Sequence, residues 1–97
     1  MKIKQTETFE KWLDDLRDRR AQLRISARIM RLAEGNPGDH KDFGIISELR
    51  IDYGPGYRVY YTQRENRIIL LIAGGDKRTQ IRDIKTAQKL AIEWNGE

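Results

Sequence analysis

The chain has no cysteine, only two prolines and a single histidine in 97 residues. Without cysteine there are no disulfides and no cysteine-based zinc sites, which fits a cytoplasmic protein. The one imidazole, His40, lies in a polar stretch with no metal set beside it, so no metal role is expected of it. No Ser/His/Asp arrangement and no paired-carboxylate metal motif stands out, and neither a metal nor a cofactor is expected. Long apolar runs are missing as well: the longest, Ile68–Ala73, has six residues, far short of a membrane span. Met1–Thr6 is polar and alternating and does not read as a signal peptide. Repeats, low-complexity tracts and interdomain linkers are lacking too, so residues 1–97 are expected to form one domain of a soluble intracellular protein with a thin core.

What the chain does have is charge. Charged residues make up 35% of it, and 19 Lys and Arg against 15 Asp and Glu leave a net charge of +4. The sequence pI is about 9.6. Such a balance suits an anionic partner, nucleic acid or an acidic protein, and equally a surface kept soluble by charge.

Hydrophobic periodicity sets out the elements. Residues 1–6 suit a short edge strand. Phe9, Trp12, Leu13 and Leu16 fall at helical spacings of three, four and seven, which predicts a helix from about Thr8 to Arg17. Asp18 is a plausible N-cap for a second helix that stops at Gly35-Asn36-Pro37-Gly38. Arg20, Arg24, Arg28 and Arg31 share an arc of it, with Ser26, Ile29, Met30 and Ala33 opposite; the row is either a solvated face or a contact for RNA or an acidic segment. Residues 35–44 read as a loop. Ile46–Tyr53 alternates as a strand, Gly54-Pro55-Gly56 reverses the chain, and Tyr57 onward alternates as its partner. Ile68–Ala73 is apolar on both faces and reads as a buried central strand. A last helix starts near Asp76 or Thr79, with Ile81, Ile84, Gln88 and Ala91 in one row. The predicted order is β-α-α-β-β-β-α, an α+β domain whose helices pack on one face of an antiparallel central sheet, leaving the other face for function.

Two groups of residues point to chemistry. Glu48, Arg50 and Asp52 share one face of their strand; Arg58, Tyr60 and Thr62 share the matching face of the next. Arg50 and Arg58 then stand side by side. They either pair with Glu48, Asp52 or Asp76 or clamp a phosphate, which an arginine fork binds bidentately. Tyr60 either packs under the arginine stems or meets a base or phosphate. The second group is Gly74-Gly75-Asp76-Lys77-Arg78-Thr79-Gln80, which joins a strand end to a helix N-terminus. That junction is either a plain turn and cap or an anion site with Lys77 and Arg78 adding charge. It lacks the P-loop pattern. Asp83 falls in the first turn of the last helix, where the dipole favours it.

Taken together, Phe9-x-x-Trp12-Leu13, Glu48-Leu49-Arg50, Gly54-Pro55-Gly56-Tyr57-Arg58-Val59-Tyr60-Tyr61 and Gly75-Asp76-Lys77 with Gln80, Asp83-Ile84 and Ala87 resemble the RelE/ParE superfamily of type II toxins. Within it they are most similar to the HigB-like addiction module killer proteins, and the likeness spans essentially the whole chain. The resemblance implies a RelE-like, microbial RNase-like α+β fold and a cognate antitoxin, usually a small helix-turn-helix protein. It also implies metal-independent cleavage of mRNA in the ribosomal A site, growth arrest, and attack of a 2′-hydroxyl on the adjacent phosphorus. The alternative within the superfamily is a ParE-type toxin that binds DNA gyrase. By position in the motifs, Arg58 matches the arginine used on the scissile phosphate, Lys77 a second transition-state cation, and Arg50 a third contact. Tyr60, Arg78 and Gln80 would touch RNA. Asp83 lies near the place where RelE carries a catalytic tyrosine, so the proton acceptor departs from that pattern; Asp83, His40 and Tyr60 are the candidates.

Overall fold

The computed structural model describes residues 1–94. The first strand, β1 (Lys2–Gln5), leads into helices α1 (Glu7–Asp14) and α2 (Arg19–Ala33). Four strands follow: β2 (His40–Phe43), β3 (Ile46–Ile51), β4 (Tyr57–Arg64) and β5 (Ile68–Gly75). A single 3-10 turn (Lys77–Thr79) then runs into α3 (Gln80–Glu93). One five-stranded sheet has the order β1-β5-β4-β3-β2, antiparallel except where β1 pairs parallel to β5. Among the described residues no helix is long and apolar enough to cross a membrane.

Local chemistry explains the boundaries. Thr6 caps α1: its hydroxyl accepts from the Phe9 amide at 3.0 Å and donates to the Ile72 carbonyl at 2.6 Å, fastening the helix start to β5. Asp18 caps α2 through the Arg20 and Ala21 amides, as the sequence suggested. In the 3-10 turn Asp76 and Thr79 form a reciprocal capping box.

Both faces of the sheet are covered, and by different helices. The larger core packs Phe9 of α1 and Ile25, Ile29 and Leu32 of α2 against Leu49, Ile51, Val59, Tyr61, Ile69 and Leu71. Trp12 lies on the edge of that core, 5.9 Å from Phe9 and 6.3 Å from Tyr57 between ring centroids. The second core sets Ala87 and Ala91 of α3 against Ile46, Tyr60, Leu70, Ile72 and Ala73. Alanine at the contact lets the helix lie close to the strands. A register shift helps: Tyr60 pairs with Ala73 but Tyr61 with Leu71, so both Ile72 and Ala73 feed this second core.

Four expectations change. The predicted loop 35–44 contains a strand, because His40–Phe43 pairs antiparallel with Phe43↔Ile46 through His40↔Leu49; its polar residues occupy an exposed edge, which has no need of an apolar face. The helices do not share one face, since α3 crosses to the other and covers part of the polar side. The first helix ends at Asp14 rather than Arg17. On α2 the buried row is Ala21, Ile25, Ile29 and Leu32, while Met30 points outward, and on α3 Ile81 is exposed. Apolar residues on two sides of each helix leave the phase of the pattern open.

Candidate functional site

The site is built on the polar faces of β3 and β4 where α3 begins. The register puts Glu48 opposite Tyr60 and Arg50 opposite Arg58. Arg58 in turn pairs with Gly75, the last residue of β5, so the chain leaves the sheet beside the two arginines and starts the helix there.

Glu48 is the hub. It is 0% exposed, and its carboxylate accepts from Arg50 Nε at 2.9 Å, Tyr60 hydroxyl at 3.0 Å and Gln80 Nε2 at 2.8 Å. Arg58 Nε lies 3.9 Å from the same carboxylate. A charge this deep is tolerable only because it is fully paired. Its hydrogen bond to Arg50 raises the arginine's pKa further, which locks that side chain in its charged form. Burial first, and then the Glu48 charge, push the Tyr60 phenol well above the usual tyrosine value.

Arg58 is the less satisfied cation. The residue is 8% exposed, and its Nη1 donates to the carbonyls of Gly56 and Tyr57 at 3.2 and 3.1 Å. Its buried Nε has no hydrogen-bond partner among the described residues. Lys77 reaches the same corner from the 3-10 turn. Its stem lies across Gly56, where a β-carbon would come within 2.8 Å of Lys77 Cε, so the positive φ of +81° and the missing side chain at Gly56 both serve this approach. Two guanidinium groups therefore stand beside a single buried carboxylate, and the stem of a lysine crosses the turn next to them.

Other predicted residues take different places. Tyr60 must be corrected: fully buried and bonded to Glu48, it has no ring face for a base and no free hydroxyl for a phosphate. Gln80 gives its amide N–H to Glu48 rather than facing solvent alone. Arg78 is exposed and pairs with Asp76 at 3.0 Å, which holds the Asp76 carboxyl below its ordinary range. Asp83 is mostly buried over Gly75; its Oδ2 accepts from the Thr79 hydroxyl, and Oδ1 lies 3.6 Å from Arg82 Nε. His40 pairs with Leu49 and so belongs to the face opposite Arg50. It borders a separate polar hollow of about 440 Å³ near Asp42 and Ser47. Among the described residues no group of three or more His, Asp or Glu is arranged to hold a metal ion.

Two contributors were not singled out from the sequence. Glu48 was seen only as a neutralising neighbour, although its place two residues from Arg50 and across from Tyr60 marks it as the shared acceptor. Arg28 sits in the exposed-looking arginine row, yet it donates to the carbonyls of Arg50, Pro37 and Asp39 and so ties α2 to the strand that carries Arg50.

A domain of this layering, with a cation cluster at the sheet–helix junction, has relatives. No family model matches the chain. A Haemophilus influenzae (strain KW20/Rd) protein described as an "Uncharacterized protein" is 50% identical over 94 residues, which spans 96% of this chain and 95% of that one. The chain belongs to the same family as that protein. Among solved structures, a chain of the intact E. coli RelBE toxin–antitoxin complex superposes with a TM-score of 0.64, over 77% of this chain and 94% of that one, at 14% identity. The fold is therefore RelE-like.

Proposed function

We propose that this protein is the toxin of a type II toxin–antitoxin pair and that it cuts mRNA on the ribosome without a metal ion. The observation that carries the proposal is the cation excess at one corner: Arg50 and Arg58 share the one carboxylate of Glu48, the nearly buried Arg58 keeps an unpartnered Nε, and the Lys77 stem crosses the adjoining turn at Gly56. A phosphodiester supplies the missing anion. The RelE-like fold, seen in a toxin–antitoxin complex, supports the same reading and the expectation of an antitoxin partner, a small helix-turn-helix protein in the HigB-like version.

In the proposed reaction the 2′-oxygen attacks the adjacent phosphorus, the bond to the 5′-oxygen breaks, a 2′,3′-cyclic phosphate forms, and the departing 5′-oxygen takes a proton from water to leave as a hydroxyl. Arg58 and Lys77 stabilise charge growing on the non-bridging oxygens, and Arg50 holds the strand. Asp83 is assigned the proton of the 2′-hydroxyl, through Oδ1, which carries no hydrogen bond from Thr79 and only the longer ion-pair contact with Arg82. Much of the acceleration comes from electrostatics and in-line positioning. Arg58→Ala should abolish growth arrest in cells expressing the protein alone while antitoxin binding is retained, because Glu48 keeps Arg50, Tyr60 and Gln80 as donors and is not left unpaired. New mRNA 5′ ends inside coding regions should vanish with it. A fully toxic, well-expressed Arg58→Ala variant would overturn the reading.

One observation favours a second reading, a ParE-type toxin that binds DNA gyrase and cuts nothing. Of the three candidate proton acceptors, Tyr60 is sealed, His40 is on the other face and Asp83 is 8% exposed. A DNA-damage response without new mRNA 5′ ends would select it.

A further inference from the structure

Beside the Glu48 cluster, on the outer side of the 3-10 turn and the first turns of α3, runs an open groove of about 580 Å³. It begins beside Gln80, whose amide donates to Glu48, so groove and cluster adjoin. Four of its lining side chains are cationic, Lys77, Arg78, Arg82 and Lys85, and no carboxylate-bearing residue lines it. Ile81 lies among them, 76% exposed, and gives the groove an apolar patch between the cations. Arg78 is tied to Asp76 and Arg82 leans toward Asp83, whereas no ion pair holds Lys85 among the described residues.

An apolar face ringed by cations fits a ligand that is flat and apolar in one part and anionic in another. A nucleotide has that make-up. We infer that this groove binds the nucleotides of single-stranded RNA that flank the scissile phosphate, one base or ribose lying over Ile81 with phosphates on Arg82 and Lys85. The inference rests on the proposed function and adds to it a second contact region. Arg82 and Lys85 are three positions apart on the helix, a rise of about 4.5 Å, so their long side chains reach neighbouring phosphates of one strand. An acidic peptide would satisfy the cations but has no need of the exposed isoleucine between them.

The test uses the whole protein and uncleavable, fully 2′-O-methylated oligonucleotides, a trimer and an octamer, followed by fluorescence anisotropy. The wild type should bind the octamer more tightly than the trimer at low salt. Arg82→Gln with Lys85→Gln should lose that increment. Two fewer phosphate contacts lower the salt slope by about 1.4 and the octamer affinity by about 25-fold at 0.1 M salt. Ile81→Ser should weaken octamer binding several-fold without changing the slope. All three positions are exposed, so the variants should melt like the wild type. Equal octamer affinity in the double variant overturns the inference, as does an absence of octamer binding by the wild type. Displacement of the octamer by poly-glutamate of matched charge, with Ile81→Ser unchanged, also overturns it and favours an acidic protein. None of these outcomes touches the Arg58→Ala growth test, which judges the cleavage reading separately.

Discussion

Glu48→Gln isolates the electrostatic part of the cluster. The amide keeps the shape of the carboxylate and one oxygen for Arg50, and the Tyr60 hydroxyl and Gln80 amide can both turn to accept from its new NH2 group. What disappears is the one negative charge that faces Arg58, a residue with 8% exposure and an unpartnered Nε. Removing one member of a buried ion pair costs about 3–5 kcal/mol, because the other charge stays behind in low dielectric. A domain of this size has roughly 5–15 kcal/mol in total. At about 4–8 °C per kcal/mol, Tm should fall by about 12 °C or more. A second readout separates this from ordinary core damage. With the carboxylate charge gone, an inorganic anion becomes the natural partner of the cations, so sulfate should stabilise the variant more than the wild type. Thermal and urea melts in sulfate and in chloride of equal ionic strength measure both effects. A stability loss under about 1 kcal/mol, together with identical sulfate responses, would refute the reasoning that Glu48 balances a trapped excess of positive charge.

Further outcomes follow from the same geometry. Asp83→Asn keeps an acceptor for Thr79 and should leave the melt nearly unchanged while slowing mRNA cleavage about 100-fold; undiminished cleavage in a translating extract would remove Asp83 from proton transfer. Tyr60→Phe leaves Glu48 one donor short and should cost about 1.5–3 kcal/mol in urea melts. Tyr60 and Tyr61 both titrate above the ordinary tyrosine value when folded, so the unfolded chain loses these protons first. Their contribution is complete below about pH 10 and declines as pH rises further, and Tyr60→Phe should flatten that alkaline decline. Gly74→Ala drives a β-carbon into the Trp12 ring and should destabilise by about 1–3 kcal/mol, seen as a lower urea midpoint with an unchanged slope.

The parts of the fold legible in the sequence are those with one clear period. Phe9, Trp12 and Leu13 marked α1, Asp18 marked the start of α2, and the alternation around Gly54-Pro55-Gly56 gave the hairpin and the pairing of Arg50 with Arg58. The strand His40–Phe43 was hidden because an edge strand needs no apolar face, and its polar residues read as loop. The side of the sheet taken by α3 was hidden for another reason. Strand alternation tells which residues share a face, but not which helix covers that face. Ile68–Ala73 is apolar on both sides, which already implied cover on both, and Ala87 and Ala91 are small enough to bring a helix down onto Tyr60.

That placement decides what the cluster is. On an open sheet face, Arg50, Arg58 and Tyr60 would have been three exposed groups free to meet a strand of RNA independently. Under α3 they become layers of one structure: Tyr60 at the bottom as a donor to Glu48, Arg58 partly sealed above it, and Lys77 and Arg50 at the rim. Gln80 closes the arrangement from the helix side, so the start of α3 and the charge state of the hairpin are mechanically joined. A sealed cation held by one shared carboxylate is already desolvated before any ligand arrives, and a phosphate entering at the rim meets a field that water does not screen. It follows that adding a carboxylate at the rim, as in Arg50→Glu, should harm function more than Arg50→Ala. The new charge would compete with the phosphate for Arg58 as well as removing a contact. Growth-arrest titrations of the two variants, at equal expression, should rank wild type above Arg50→Ala above Arg50→Glu; equal activity of the two would mean that Arg58 does not feel the rim.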